Sequence, residues 1–159
     1  MRERWDGPFI VKGLLDPADA ERAVDVVGAT GVVVSNHVGR QLDGAVASLD
    51  ALPDIADAVG DRATVLIDSA VRTGSDVVTA ALALGADAVM IGRPYIYGLA
   101  VAGGRGVTAI LDILATEIRR TIILMGMCHE APLSRVRAAA SRCRRCSIRS
   151  NGRQHCRSP

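Results

Sequence analysis

The chain has 159 residues, 49% hydrophobic and 23% charged, a composition that excludes a chain disordered throughout. The formal net charge of +2 hides an asymmetry: from Leu133 onward there are 8 Arg and no acidic residue, whereas upstream 11 basic residues face 17 acidic ones. No apolar stretch approaches the roughly 20 residues of a bilayer span, and Met1 to Asp6 lacks the apolar core of a signal peptide. A cytoplasmic chain with no transmembrane segment is therefore expected.

The first apolar run is Pro8-Phe9-Ile10-Val11-Lys12, read as a buried parallel strand ending in the chain's single lysine. Asp16-Pro17 then opens a helix to about Val27, with Asp16 as N-cap and proline at the first helical position. Gly31-Val32-Val33-Val34-Ser35 is the second strand, and Ser48 opens a helix that reaches Val59 before Gly60. Thr64-Val65-Leu66-Ile67-Asp68 is the third strand. Gly74-Ser75-Asp76 leads into a helix from Val77 to Leu84, closed by Gly85 in a left-handed C-cap. Asp87 to Gly92 is the fourth strand. The last pattern, Gly106 to about Leu124, aligns Val107, Ile110, Leu111, Leu114, Ile118 and Ile122 as the stripe of a helix on a sheet.

The fold class is α/β: four βα units with parallel strands. Such a repeat builds either an open doubly wound sheet or part of an eight-fold barrel, and four units cannot close a barrel alone. Residues 1–128 are assigned to this body and 129–159 to an arginine-rich tail, read as disordered and solvated. No nucleic-acid partner is expected for it. Cys143-Arg144-Arg145-Cys146 with His155-Cys156 has a loose zinc-knuckle spacing, but adjacent His155 and Cys156 suit one tetrahedron poorly, and no metal is expected.

Polar residues collect at the C-terminal end of every strand: Lys12, then Ser35 and His37, then Asp68, then Gly92 and Arg93. In a βα barrel that edge carries the chemistry. Ser35-Asn36-His37-Val38-Gly39-Arg40-Gln41-Leu42-Asp43-Gly44 places a proton acceptor three residues from a guanidinium. Imidazole changes protonation near neutrality, and arginine grips a planar carboxylate in bidentate fashion, so His37 and Arg40 suit a 2-hydroxy acid. Arg72 and Arg93, each just past a strand end, suit a phosphate monoester, helped by backbone N–H groups around Gly92 and at the helix start after Pro94.

The decapeptide, with Val11-Lys12-Gly13, Leu49-Asp50-Ala51-Leu52-Pro53, Gly85-Ala86-Asp87-Ala88 and Ile91-Gly92-Arg93-Pro94-Tyr95 in order, resembles the FMN-dependent 2-hydroxy acid oxidases and dehydrogenases from about Trp5 to Met125. The resemblance implies the C-terminal (βα)₄ half of a TIM (β/α)₈ barrel with FMN as cofactor. It implies flavin contacts from Lys12 and Ser35 and a grip on the ribityl phosphate from Asp68, Ser69, Ala70, Val71 and Arg72 with Gly92 and Arg93. His37 becomes the base and Arg40 the carboxylate clamp, both touching a small (S)-2-hydroxy acid such as L-lactate.

The same resemblance places four further βα units, a substrate-binding tyrosine and the acidic partner of the histidine in a front half that precedes Lys12 in the family. The expected activity of this chain alone is negligible, and its expected partners are an N-terminal half-barrel chain or further copies of itself. Val38 and Ala70 stand where glycine is usual. Valine is costly there if its φ is positive or the backbone must approach the flavin closely. A non-catalytic FMN- or phosphate-binding half-barrel that needs a partner chain, and another phosphate-binding barrel enzyme, are alternative readings.

Overall fold

A computed structural model describes residues 4–69, 71–79 and 84–126. Ala70 and the whole segment 129–159, including Cys143, Cys146, His155 and Cys156, lie outside the described residues.

The β-branched run Gly31–Val34 forms β2, buried along its full length at the centre of the sheet. It pairs in parallel with β1 (Ile10–Leu14) on one side and β3 (Thr64–Ile67) on the other. β4 (Ala88–Val89) adds to β3, again in parallel, giving the sheet order β1-β2-β3-β4. The sheet is open, and its outer strands are not the buried strands the apolar runs predict: Ile10 of β1 is 51% exposed and Ala88 of β4 is exposed. Each has a neighbour on one side only. β1 also begins and ends two residues later than the apolar run suggests.

Side chains alternate across the sheet. Val32, Val34, Val65 and Ile67 face one way, into a core completed by Ala20 and Ala23 of α1 (Pro17–Asp25) and by Leu52, Ile55 and Val59 of α2 (Ser48–Val59). Leu52 and Ile55 are fully buried, and each such side chain contributes about 1.5–3 kcal/mol relative to an exposed one. The alternate positions, Lys12, Val33 and Leu66, lie on the opposite face; continuing that alternation past the strand ends brings Ser35 and Asp68 to the same side.

α1 begins as its sequence indicates: Asp16 accepts hydrogen bonds from the N–H groups of Ala18 and Asp19, and Pro17 occupies the first turn. α2 keeps both predicted bounds, yet the Ser48 hydroxyl does not cap it and instead accepts the Asn36 N–H at 3.0 Å. α3 (Gly74–Val77) starts three residues before the predicted Val77, because Thr73 and Asp76 form a reciprocal capping box. Gly85 has φ +101°, the left-handed conformation expected after that helix.

α4 (Arg93–Leu124) runs the helix start expected after Pro94 into the pattern expected from Gly106. It is two limbs joined at a break, where Ala102 and Gly103 leave helical geometry (φ −144° and +58°). The limbs pack through Gly98 and Gly106, where a Cβ on either would overlap the other's backbone. By length and composition α4 meets the requirement for a membrane span, against the expectation that no segment does. The break interrupts it, and Ile118 and Ile122 pack on the core with Leu114 buried. Leu111, placed on the buried stripe by its spacing, is 49% exposed because no described element covers that part of the helix.

Candidate active site

Strand alternation places the first cluster. Lys12 Nζ lies 2.6 Å from Asp68 Oδ2 and donates to Ser35 Oγ at 2.8 Å, so the ends of β1, β2 and β3 are tied together on one face. Ser35 is buried and also accepts the His37 N–H at 3.1 Å, while its own proton turns to Asp68. Ser69 donates to the other carboxylate oxygen at 2.9 Å. Burial alone would raise the Asp68 pKa; hydrogen bonds from Lys12, Ser35 and Ser69 and the ammonium charge outweigh it, holding the group below its ordinary 3.8.

The turn after β2 is wound left-handed. His37, Val38 and Gly39 have φ of +51°, +63° and +71°. Asn36 Oδ1 accepts the Val38 N–H at 3.0 Å, and the same N–H reaches Ser69 Oγ at 3.2 Å. Gly39 N–H bonds to Asn36 O and Arg40 N–H to His37 O, closing the turn. Among the described residues, the non-glycine positions with positive φ are His37, Val38 and Ser69, all at this edge. Such strain persists where surrounding structure over-determines it, and it collects at functional sites.

Gly13 explains how the His37 ring is seated. β1 shifts register between Lys12 and Leu14, Gly13 adopts φ +99°, and a Cβ there would come within 2.9 Å of His37 Cε1 and 3.0 Å of Nε2. The imidazole lies on the space this glycine leaves. Its Nδ1 is buried and has no hydrogen-bond partner among the described residues.

Lys12, His37, Val38, Arg40, Gln41 and Asp68 line a cleft of about 600 Å³. A second cleft of about 280 Å³ shares Val38, Arg40 and Asp68 and runs past Ser69, Val71 and Met90 to Gly92, Arg93 and Ile96. Of the residues the sequence singles out, Lys12, His37, Arg40, Asp68, Ser69, Val71, Gly92 and Arg93 line this one edge, with buried Ser35 at the end of β2. Arg72 is not among them: it lines neither cleft, and its N–H donates to Asp76 Oδ2 at 3.0 Å as part of the α3 cap. Burial would raise the Asp76 pKa, but N–H groups of Arg72 and Thr73 and the Thr73 hydroxyl lower it.

Gly13, Ser48, Gln41 and Met90 are not among the site residues that the sequence singles out. Gly13 carried a signal, since a glycine within a strand marks a bulge or a close approach. The others reveal themselves only through tertiary contact.

The donor set fits an elongated anion with a planar head. Arg93 and the free N–H groups at the start of α4 suit a phosphate, while the Lys12 ammonium and the imidazole stand at the other end of the joined clefts.

Comparison with known proteins agrees with this chemistry. The family model described as FMN-dependent dehydrogenase matches residues 1–138. Over 127 residues the chain is 56% identical to an L-lactate dehydrogenase of Caulobacter sp. (strain K31), covering 80% of this chain and 33% of that protein. It is 53% identical over 127 residues to the FMN-dependent alpha-hydroxy acid dehydrogenase qulF of Penicillium citrinum, again 80% of this chain and 31% of the relative. Among solved structures, a mandelate oxidase variant with the monooxide FMN adduct superposes with a TM-score of 0.80 at 46% identity, covering 86% of this chain and 42% of that one. Mandelate oxidase with (S)-2-phenylpropionate gives the same score and identity over 39% of its length. The chain spans about a third of the length of the curated relatives it matches. By the family model and these identities, the chain belongs to the FMN-dependent dehydrogenase family.

Proposed function

We propose that this chain is the C-terminal half of a (βα)₈ barrel that oxidises a small (S)-2-hydroxy acid, such as L-lactate, to the 2-oxo acid with FMN. The observation that carries this reading is the pair of adjoining clefts, one lined by Lys12 and His37, the other by Gly92 and Arg93, with Val38, Arg40 and Asp68 shared between them. FMN, when bound, would supply the acceptor for two electrons and one of the two protons that the substrate's Cα–H and O–H bonds release, the other proton going to His37. Arg40 binds the carboxylate through two parallel N–H bonds and so fixes which face of Cα is presented. His37 takes the proton that the substrate gives up as its carbon is oxidised. Lys12, held by Ser35 and Asp68, would supply the positive charge that a reduced, anionic flavin needs. Arg93 and the α4 start hold the ribityl phosphate, with Ser69 and Val71 alongside; Gly92 lets that ligand approach the backbone.

The orphaned Nδ1 of His37 supports a site that needs more chain. A base is oriented by a partner on its second nitrogen, and the family resemblance places that acidic partner in a front half. Negligible turnover by this chain alone follows. The test is reconstitution with the N-terminal half of a relative: the complex should turn yellow with FMN and lose that colour anaerobically with L-lactate. Bleaching by the isolated chain would overturn the claim of inactivity. Flavin bound by the reconstituted complex without any lactate oxidation would instead favour the second reading, a non-catalytic FMN- or phosphate-binding half-barrel.

A further inference from the structure

Val38 stands where both clefts meet, and it is the residue least suited to its own backbone. Its φ of +63° and ψ of +27° lie in the left-handed region, which β-branched side chains avoid. Its N–H is held twice, by Asn36 Oδ1 and Ser69 Oγ, so the turn cannot relax without losing hydrogen bonds that also orient His37. The side chain is about half exposed, 49%, and has no place in the core cluster. It projects to solvent at the waist shared by the Lys12–His37 cleft and the Gly92–Arg93 cleft.

Resting on the flavin reading above, we propose that Val38 is a specificity-determining residue whose isopropyl group narrows this waist. It discriminates against ligands long enough to occupy both clefts at once. A ligand confined to one end, such as a free phosphate at Arg93, does not meet it. A flavin mononucleotide, with its phosphate at one end and its ring at the other, must pass it. The chain therefore holds flavin less tightly than its own cationic groups would permit, and shortening this one side chain tightens binding.

The test is titration of the full chain and of its Val38→Ala and Val38→Gly variants with FMN, followed by quenching of flavin fluorescence, beside a parallel titration with inorganic phosphate. Alanine removes the γ-methyl groups but keeps a Cβ on the left-handed backbone; glycine removes both. The expected result is FMN binding about tenfold tighter or more in Val38→Gly, tighter by a smaller factor in Val38→Ala, and phosphate affinity equal in all three. Thermal midpoints should rise by a few degrees in Val38→Gly and move little in Val38→Ala. Equal FMN affinity across the three chains overturns the inference and leaves the flavin reading standing. Tightening confined to Val38→Gly also overturns it, because relief of backbone strain alone would then be responsible. FMN bound by none of the three overturns the inference and leaves the flavin reading to the reconstituted complex.

Discussion

The two ends of the sheet are both polar, and they use polarity differently. At the N-terminal end, Arg62 reaches Asp25 at 2.5 Å and Glu21 at 3.4 Å, and also donates to the carbonyls of Ala58 and Val59, pinning the end of α2 to α1. Asp87 accepts the Val65 N–H and Thr30 bonds to Phe9, so that this edge joins neighbouring strands. At the C-terminal end the polar groups line a cleft, three non-glycine residues hold left-handed backbone, and a histidine nitrogen is buried without a partner among the described residues. Satisfied bonds on relaxed backbone are the mark of structure. Left-handed non-glycine backbone and an orphaned ring nitrogen mark a site built for something to be added; a cleft alone does not, because Thr30, Arg62 and Asp87 line one of about 380 Å³ at the N-terminal edge. Charge alone does not separate the two edges.

That contrast can be broken first at the catalytic pair. In a reconstituted complex, His37→Ala should lower kcat for L-lactate by about 10²–10⁴-fold, the range of a lost general base, while flavin absorbance is retained. Arg40→Met should mainly raise KM. A smaller but global effect is expected from the core behind both edges: Leu52→Ala should destabilise the chain by about 2–5 kcal/mol in urea unfolding.

Asp68 sharpens the comparison through pH. Its folded pKa lies below 3.8, so it stabilises the fold above that value, and the contribution is lost as pH falls through the depressed one. Asp68→Asn should therefore be less stable than the parent near neutrality and lose less stability on acidification below 3.8. Melting curves across that range will check it. The smallest effect belongs to Arg62→Ala, whose exposed ion pairs are screened by solvent. A slight fall in thermal midpoint with unchanged FMN affinity is expected, and a loss of FMN binding would erase the distinction between the edges.

What could be read from the sequence was local. The Val32-Val33-Val34 run, the Asp16-Pro17 start and the Ser48 to Val59 helix depend on neighbouring residues, and the structure keeps them. The end of each strand is also where a period of two delivers Lys12, Ser35 and Asp68 to one face, which is why most of the site was legible. Of α4 the helix start after Pro94 and the stripe from Gly106 were legible as separate pieces; their junction at the Ala102–Gly103 break, which resets the helical phase, was not. Arg72 lines neither cleft, and its backbone N–H belongs to the α3 cap through Asp76, a pairing across four residues that strand periodicity does not foretell. The seat of His37 depends on Gly13, a contact between residues far apart in sequence.

The central claim is that the C-terminal edge is half of a flavin site for 2-hydroxy acids. The most direct measurement is the visible flavin spectrum of the chain reconstituted with the N-terminal half of a relative, recorded anaerobically before and after L-lactate. The account predicts bound oxidised flavin that bleaches on lactate addition in the parent and stays yellow in His37→Ala. Bleaching that is equally fast in both would contradict it.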